Sequence, residues 1–233
     1  MEAKKIRQEE IIYQEGILAV VPLRKEYLDE QYRKWMFNQE VTKFNTHGLF
    51  PKSDESFLTF ANSLNKEYER IDWAIVTDRI DPNWGVNYSS GFYYHIGNAS
   101  LYFNYNYRSV EFACLIGETD WWGKGVMTQV MKWALQHCFD KLGMNRVWTG
   151  TAATNIGMNY VASKNGMKQE GVFKEAMFLN GEYVDINEWG IVKSEWDRMK
   201  TQKKNEGKVF VGTEQELHDF QMGELIHNDP EHE

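Results

Sequence analysis

The sequence predicts a mixed α+β domain on a mostly antiparallel sheet, and three observations predict it. First, β-rich segments follow one another at Trp73 to Val76, His95 to Phe103 and Val110 to Gly117, separated only by turn-like stretches at Asp81-Pro82-Asn83 and Asn104 to Arg108. Strands in such succession pair antiparallel, as a meander. Second, an amphipathic helix runs from Val126 to about Leu142. Its Met127, Val130, Met131, Ala134, Leu135, Cys138, Phe139 and Leu142 form one apolar stripe. Third, the remaining elements mix types. A strand at Arg146 to Thr151 precedes a helix at Asn155 to Lys164, then strands at Lys168 to Phe173 and Tyr183 to Val192 with Asn180-Gly181 turning the last hairpin. That order is not a doubly wound parallel sheet.

The N-terminal part is less periodic. The first fifteen residues are charged and show no repeat, whereas Gly16 to Leu23 reads as an opening strand and Arg24 to Met36 as a helix. Val41 to Pro51 (VTKFNTHGLFP) mixes aromatic, polar and glycine residues and reads as an ordered loop. Ser53 to Glu69 reads as a second helix, with Ser53 at its cap and Asp54 and Glu55 in its first turn, where acidic groups suit the positive helix end.

A chain of 233 residues, 42% hydrophobic, can build a sizeable core. No apolar run approaches the roughly 20 residues needed to cross a bilayer, so no membrane partner is expected. Cys114 and Cys138 lack metal-ligand spacing, which points to no disulfide framework, no metal and a reducing, cytoplasmic compartment. The net charge, 26 − 34 = −8, opposes bulk nucleic acid binding. Residues 201–233 hold three lysines against eight acidic residues, 3 − 8 = −5, and read as an acidic C-terminal extension to a domain spanning 1–200. Within it, Lys208 to Val211 reads as a short strand and Thr213-x-x-Glu216 as a capping box.

The chemistry-bearing feature is Gly123-Lys124-Gly125, set between the strand ending at Gly117 and the helix opening near Val126. Glycines there let backbone N–H groups approach an anion that the helix dipole also favours. A tight turn with no ligand fits the same residues. The Walker pattern is absent, and so is the third glycine of a dinucleotide fingerprint.

WWGKGVMTQVMKWAL, then RVWTGT, then NIGMNYVASKNGMKQEG, resembles the acetyl-CoA-binding motifs of the GNAT N-acetyltransferase superfamily, in its ribosomal-protein alanine (RimJ/RimL-like) branch. The resemblance covers roughly Gly16 to Trp196, and GEYVDINEWGIVKSEW resembles that branch's last hairpin. It implies a twisted sheet splayed between the fourth and fifth of the strands read here, flanked by helices. It also implies acetyl-CoA as cofactor and direct acetyl transfer to a primary amine.

Carried over residue by residue, the pyrophosphate loop falls on Trp122, Gly123, Lys124, Gly125, Val126 and Met127, with Thr128 following. Trp122 and Met127 depart from the family's usual residues. Asn155 and Lys164 match the second cofactor motif, and a backbone N–H at Cys114, Leu115 or Ile116 would hold the thioester carbonyl. The family's tyrosine, an acid for the departing thiolate, aligns with Ala162, which leaves Tyr160, Ser163 and water as alternatives. Glu111 aligns with a catalytic carboxylate of some members and is the candidate base.

On the acceptor side stand Asn45, Thr46 and His47 of the early loop, Trp73, and Asp185 of the final hairpin. The loop VTKFNTHGLFP resembles relatives associated with amino-sugar nucleotides, so the expected acceptor is a small polar amine, with a nucleotide-linked amino sugar favoured. A protein N-terminus, a polyamine, and a non-catalytic acyl-CoA-binding module are the alternatives, and a homodimer is left open.

Overall fold

In the computed structural model, residues 2–45, 53–65, 69–79, 82 and 91–206 are described. Thr46, His47, the extension's expected strand and its capping box lie outside them. The chain divides into two compact units, Met1–Lys193 and Ser194–Glu233.

The first unit is a nine-stranded sheet. β1 (Ala3–Lys5), β2 (Tyr13–Glu15), β3 (Leu18–Pro22), β4 (Arg70–Thr77), β5 (Phe92–Asn104), β6 (Ser109–Ile116), β7 (Arg146–Ala152), β8 (Lys168–Leu179) and β9 (Glu182–Val192) follow in chain order. Their spatial order is β2-β3-β4-β5-β6-β7-β9-β8, with β1 on β5. Among the described strands only β6 and β7 pair in parallel. Both short N-terminal strands were invisible in the sequence because three residues are too few to display a period.

The helices are α1 (Glu30–Phe37), α2 (Gln39–Thr42), α3 (Asp54–Asn62), α4 (Val126–Gln136), α5 (Ile156–Lys164) and α6 (Lys193–Glu206). α1 starts six residues later than expected because the Asp29 side chain accepts from Tyr32 N and fixes the helix start there. Ser53 caps α3 as expected, its Oγ accepting from Ser56 N at 3.2 Å. α3 stops early. Asn65, at φ +49°, turns the chain and donates its side-chain amide to Leu23 O at 2.8 Å. α4 keeps its expected start, but its last turn widens into a π-helical turn at His137–Lys141. Asn180 and Gly181 both adopt positive φ, 53° and 90°, as a tight hairpin turn requires.

The two faces of the sheet are covered differently. On one face Ala19, Val21, Leu23, Tyr27, Ala74, Val76 and Tyr93 form an apolar cluster. Next to it α1–α3 contribute Tyr32, Trp35, Met36, Val41 and Phe57, against which Leu115 and Trp122 pack. The opposite face carries Trp73, 1% exposed, its ring 5.9 Å from Tyr13 and 5.4 Å from His137 at the end of α4. Trp73 therefore belongs to the core, which corrects its expected acceptor role.

Candidate active site

β6 and β7 share only three rungs, Ser109–Arg146, Val110–Val147 and Glu111–Trp148. β6 nevertheless continues along β5 to Ile116, and β7 along β9 to Ala152. Past Glu111 the two strands diverge, and a V-shaped opening forms inside the sheet. This is the splay implied between the fourth and fifth strands of the sequence reading, which the two extra N-terminal strands renumber as β6 and β7.

At the end of β6 the Trp122 indole donates to Ile116 O at 3.0 Å, while Gly117 N donates to Ile96 O of β5. Ile116 thus turns its backbone away from β5. By strand alternation, the N–H groups of Cys114 and Ile116 face the splay and that of Leu115 faces β5. Two of the three expected carbonyl donors are so placed.

The chain then runs through Glu118, whose Oε1 accepts from Gln31 Nε2 at 2.7 Å and Trp35 Nε1 at 2.8 Å. These bonds fasten the loop to α1. Trp121 is buried, and Gly123 and Gly125 follow with φ of +69° and +77°. A Cβ at either glycine would meet nothing within 4 Å, so the left-handed backbone, not crowding, requires glycine there.

Gly125 caps α4 without a side-chain bond, and the first intrahelical bond is Gln129 N to Gly125 O at 3.1 Å. The N–H groups of Val126, Met127 and Thr128 precede that bond and have no intrahelical acceptor. Open space, two left-handed glycines and an uncapped helix start suit a diphosphate, so this loop fits the cofactor.

α5 covers one face of the splay. Cys114 Sγ lies 3.7 Å from Met158 Sδ. Burial pushes the Cys114 thiol up to about 12, which leaves it protonated and non-nucleophilic. Asn155 caps α5, its Oδ1 accepting from Met158 N at 3.1 Å. Ala162 follows Met158 by about one turn and is buried on the same side.

Tyr160 is 60% exposed and Ser163 is exposed too. A helix advances about 100° per residue, which turns Tyr160 by roughly 200° and Ser163 by roughly 140° from Met158. The helix thus directs both away from the splay, contrary to their expected donor role. Lys164 is exposed at the end of α5.

On the other face Leu115 meets the α1–α3 cluster, and Glu111 shares its side of β6. Burial raises the Glu111 carboxyl above its ordinary value. Asn45 closes a turn after α2, its N–H donating to Thr42 O at 3.0 Å. The tip of the β8–β9 hairpin reaches this region, where Asn180 Nδ2 donates to Lys43 O at 3.4 Å.

Asp185 accepts from Glu175 N at 2.8 Å and Lys174 Nζ at 2.9 Å, so it shapes the irregular middle of β8. Met158, Gly150 and Glu188 were missed in the sequence, whereas Glu118, an acidic residue beside the glycine loop, reads there as a loop cap and here fastens the loop to α1.

A model of the acetyltransferase (GNAT) domain matches residues 18–168. Spermidine N(1)-acetyltransferase of Vibrio cholerae is 29% identical over 93 residues, 40% of this chain and 53% of that protein. YdaF of Bacillus subtilis, provisionally named a ribosomal N-acetyltransferase, is 28% identical over 78 residues, 34% of this chain and 43% of that one. The chain thus spans about half the length of these curated relatives.

Among solved structures, RimL, a ribosomal L7/L12 α-N-protein acetyltransferase in complex with coenzyme A, superimposes with a TM-score of 0.65 at 17% identity. The match covers 78% of this chain and 98% of that one. A V. cholerae spermidine N-acetyltransferase in complex with CoA and spermine gives 0.63 at 20% identity, covering 78% and 99%. With the family model spanning more than half of the sequence and lying over the splay, the glycine loop and α5, the chain belongs to the GNAT N-acetyltransferase family, whose cofactor is acetyl-CoA.

Proposed function

We propose that the protein transfers the acetyl group of acetyl-CoA to the primary amine of a small polar acceptor, both reactants bound at once. The observation that carries this reading is the opening between β6 and β7, with the uncapped start of α4 beside its β6 end. Backbone N–H groups from Gly123 to Thr128 hold the diphosphate, with Asn155 bordering the same groove. N–H groups of Cys114 and Ile116 polarise the thioester carbonyl. The cofactor supplies an activated acetyl thioester. The chain supplies alignment, which alone accounts for much of the acceleration of such transfers, and Glu111 as a base for an amine that is mostly protonated at neutral pH. Neither Met158 nor Ala162 can donate a proton, so the thiolate leaves as the anion or is protonated by water.

For the acceptor, a nucleotide-linked amino sugar rests on the sequence VTKFNTHGLFP, and a polyamine or a protein N-terminus is the second reading. Similarity to a spermidine acetyltransferase and the carboxylates on the acceptor face favour the polyamine. Incubating amino-sugar nucleotides, polyamines and N-terminal peptides with acetyl-CoA, and reading each for one added acetyl group by mass spectrometry, decides among them. CoA binding with no transfer to any of these amines would establish a non-catalytic binding module instead.

A further inference from the structure

Two half-buried carboxylates stand at the mouth of the splay, one from each side of it. Glu111 lies on the last rung joining β6 to β7, opposite Trp148, and Glu188 of β9 lies opposite Gly150, two residues further along β7. Paired residues share a face, as do residues two apart on a strand, so Glu111, Trp148, Gly150 and Glu188 line one face. It is the face that Leu115 presents to α1–α3, opposite the one covered by α5.

Gly150 is what lets Glu188 reach inward. A Cβ at that glycine would stand 3.3 Å from Glu188 Oε2, so the carboxylate lies over β7 in the space a side chain would take. The other charged groups near the pair are Arg146 of β7 and Glu170 of β8. Arg146 donates to both oxygens of Glu170, with Nη1 to Oε1 at 2.8 Å. The β8 bulge sets Glu170 over Gly190, leaving the guanidinium engaged there. Tyr102 of β5 is paired with Glu111, and the Arg70 guanidinium of β4, held by Asp72, stands over the Tyr102 ring at 5.6 Å. Among the described residues, the side chains of Glu111 and Glu188 have no hydrogen-bond or salt-bridge partner. Half-buried carboxylates are costly, Arg146 offsets this only in part for Glu188, and an ammonium group placed between the pair would relieve both.

We propose that Glu188 is a second proton-accepting residue, which with Glu111 takes the proton from the acceptor ammonium at the mouth of the splay. This rests on the transfer reading given above. One ammonium N–H bond breaks and its proton passes to a carboxylate oxygen of the pair. The freed nitrogen lone pair forms the amide C–N bond as the thioester C–S bond breaks. That bond's electrons leave on sulfur, and the second amine proton goes to sulfur or to water.

The environment agrees with this assignment. Burial raises the proton affinity of Glu188, Arg146 opposes it, and the charges of Glu111 and Glu170 raise it further. Glu111 is raised by burial. Both carboxyls thus hold a proton more readily than a free glutamate, and the acid limb of activity follows the pair.

The test is kcat/KM against pH for the full chain, with the best amine of the panel and saturating acetyl-CoA. Glu188→Gln is expected to lower kcat/KM at neutral pH by about tenfold or more. It should also move the acid limb to lower pH, because the remaining Glu111 lacks its neighbour's added affinity. Glu111→Gln moves the limb the same way by removing the charge that raises Glu188, and Glu188→Asp restores it. CoA affinity by calorimetry stays at the wild-type value in all three.

A Glu188→Gln profile that superimposes on wild type after scaling overturns the proposal, whatever its height, because a merely structural residue changes rate without moving the limb. A wild-type enzyme that acetylates no amine overturns the transfer reading itself and takes this inference with it, so the two failures are distinct.

Discussion

The indole of Trp35 lies flat against the backbone of Gly117, so close that a Cβ on Gly117 would stand inside the ring. The same indole donates to Glu118. α1 is therefore locked onto the junction between β6 and the glycine loop. Gly117→Ala is expected to cost about 1–3 kcal/mol by overpacking and to weaken CoA binding, since the ring cannot move without dragging Glu118. Thermal unfolding and CoA calorimetry on one sample check both effects. Loss of stability with wild-type CoA affinity would separate α1 from the loop.

Gly125 poses the opposite case, a left-handed residue in open space. Its replacement by alanine adds only backbone strain, about 1–2 kcal/mol, and tenfold in affinity corresponds to about 1.4 kcal/mol. Gly125→Ala should therefore weaken CoA binding by roughly tenfold, with Gly125→Asn milder because asparagine tolerates this conformation. Equal affinities for all three residues would remove the loop from cofactor binding.

Asp72 is fully buried and holds Arg70 Nε at 2.7 Å, Ser100 Oγ at 2.7 Å and Asn65 N at 2.9 Å. It ties the end of α3 to β4 and β5. Asp72→Ala strands the Arg70 charge and should cost roughly 3–5 kcal/mol, read as a lower denaturant midpoint. A shift below about 1 kcal/mol would show that water replaces the carboxylate.

His95 supplies a pH dependence of folding. It is buried between Tyr27 and Trp35, and Nε2 faces Gly97 O at 3.0 Å and Asn98 Oδ1 at 2.7 Å. Burial lowers its pKa to about 4, against partial opposition from Asn98 and Asp29. The unfolded chain binds more protons between the ordinary value of about 6.5 and the folded value, so stability falls as pH drops through that interval, by about 3 kcal/mol. Urea midpoints at pH 7, 5 and 4 should show the fall in wild type and a flatter course in His95→Gln. Identical slopes would assign the loss to other groups.

What the sequence disclosed and what it hid differ by scale. The path from β6 through the glycine loop into α4 was legible because each part carries its own signal, an apolar strand, two glycines and a long apolar stripe. Tyr160 and Ser163 misled because proximity in sequence to position 162 says nothing of the helix face, and two residues reverse it. Trp73 misled for another reason, since an aromatic suited to stacking on a ligand is equally suited to a core. Glu188 carried no signal because its position depends on strand register and on the bare backbone of Gly150 two strands' width from Glu111.

Three rungs are all that join β6 to β7, and beyond them each strand turns to the other, in the middle of the sheet, a backbone border with no ladder partner. Most β proteins guard such borders at their rims, where charge or a covering segment keeps other chains from annealing to them. Here the vulnerable border is interior, at the opening proposed above for the acetyl thioester. A hazard that other β proteins carry at the rim of the sheet is thus carried here at its centre.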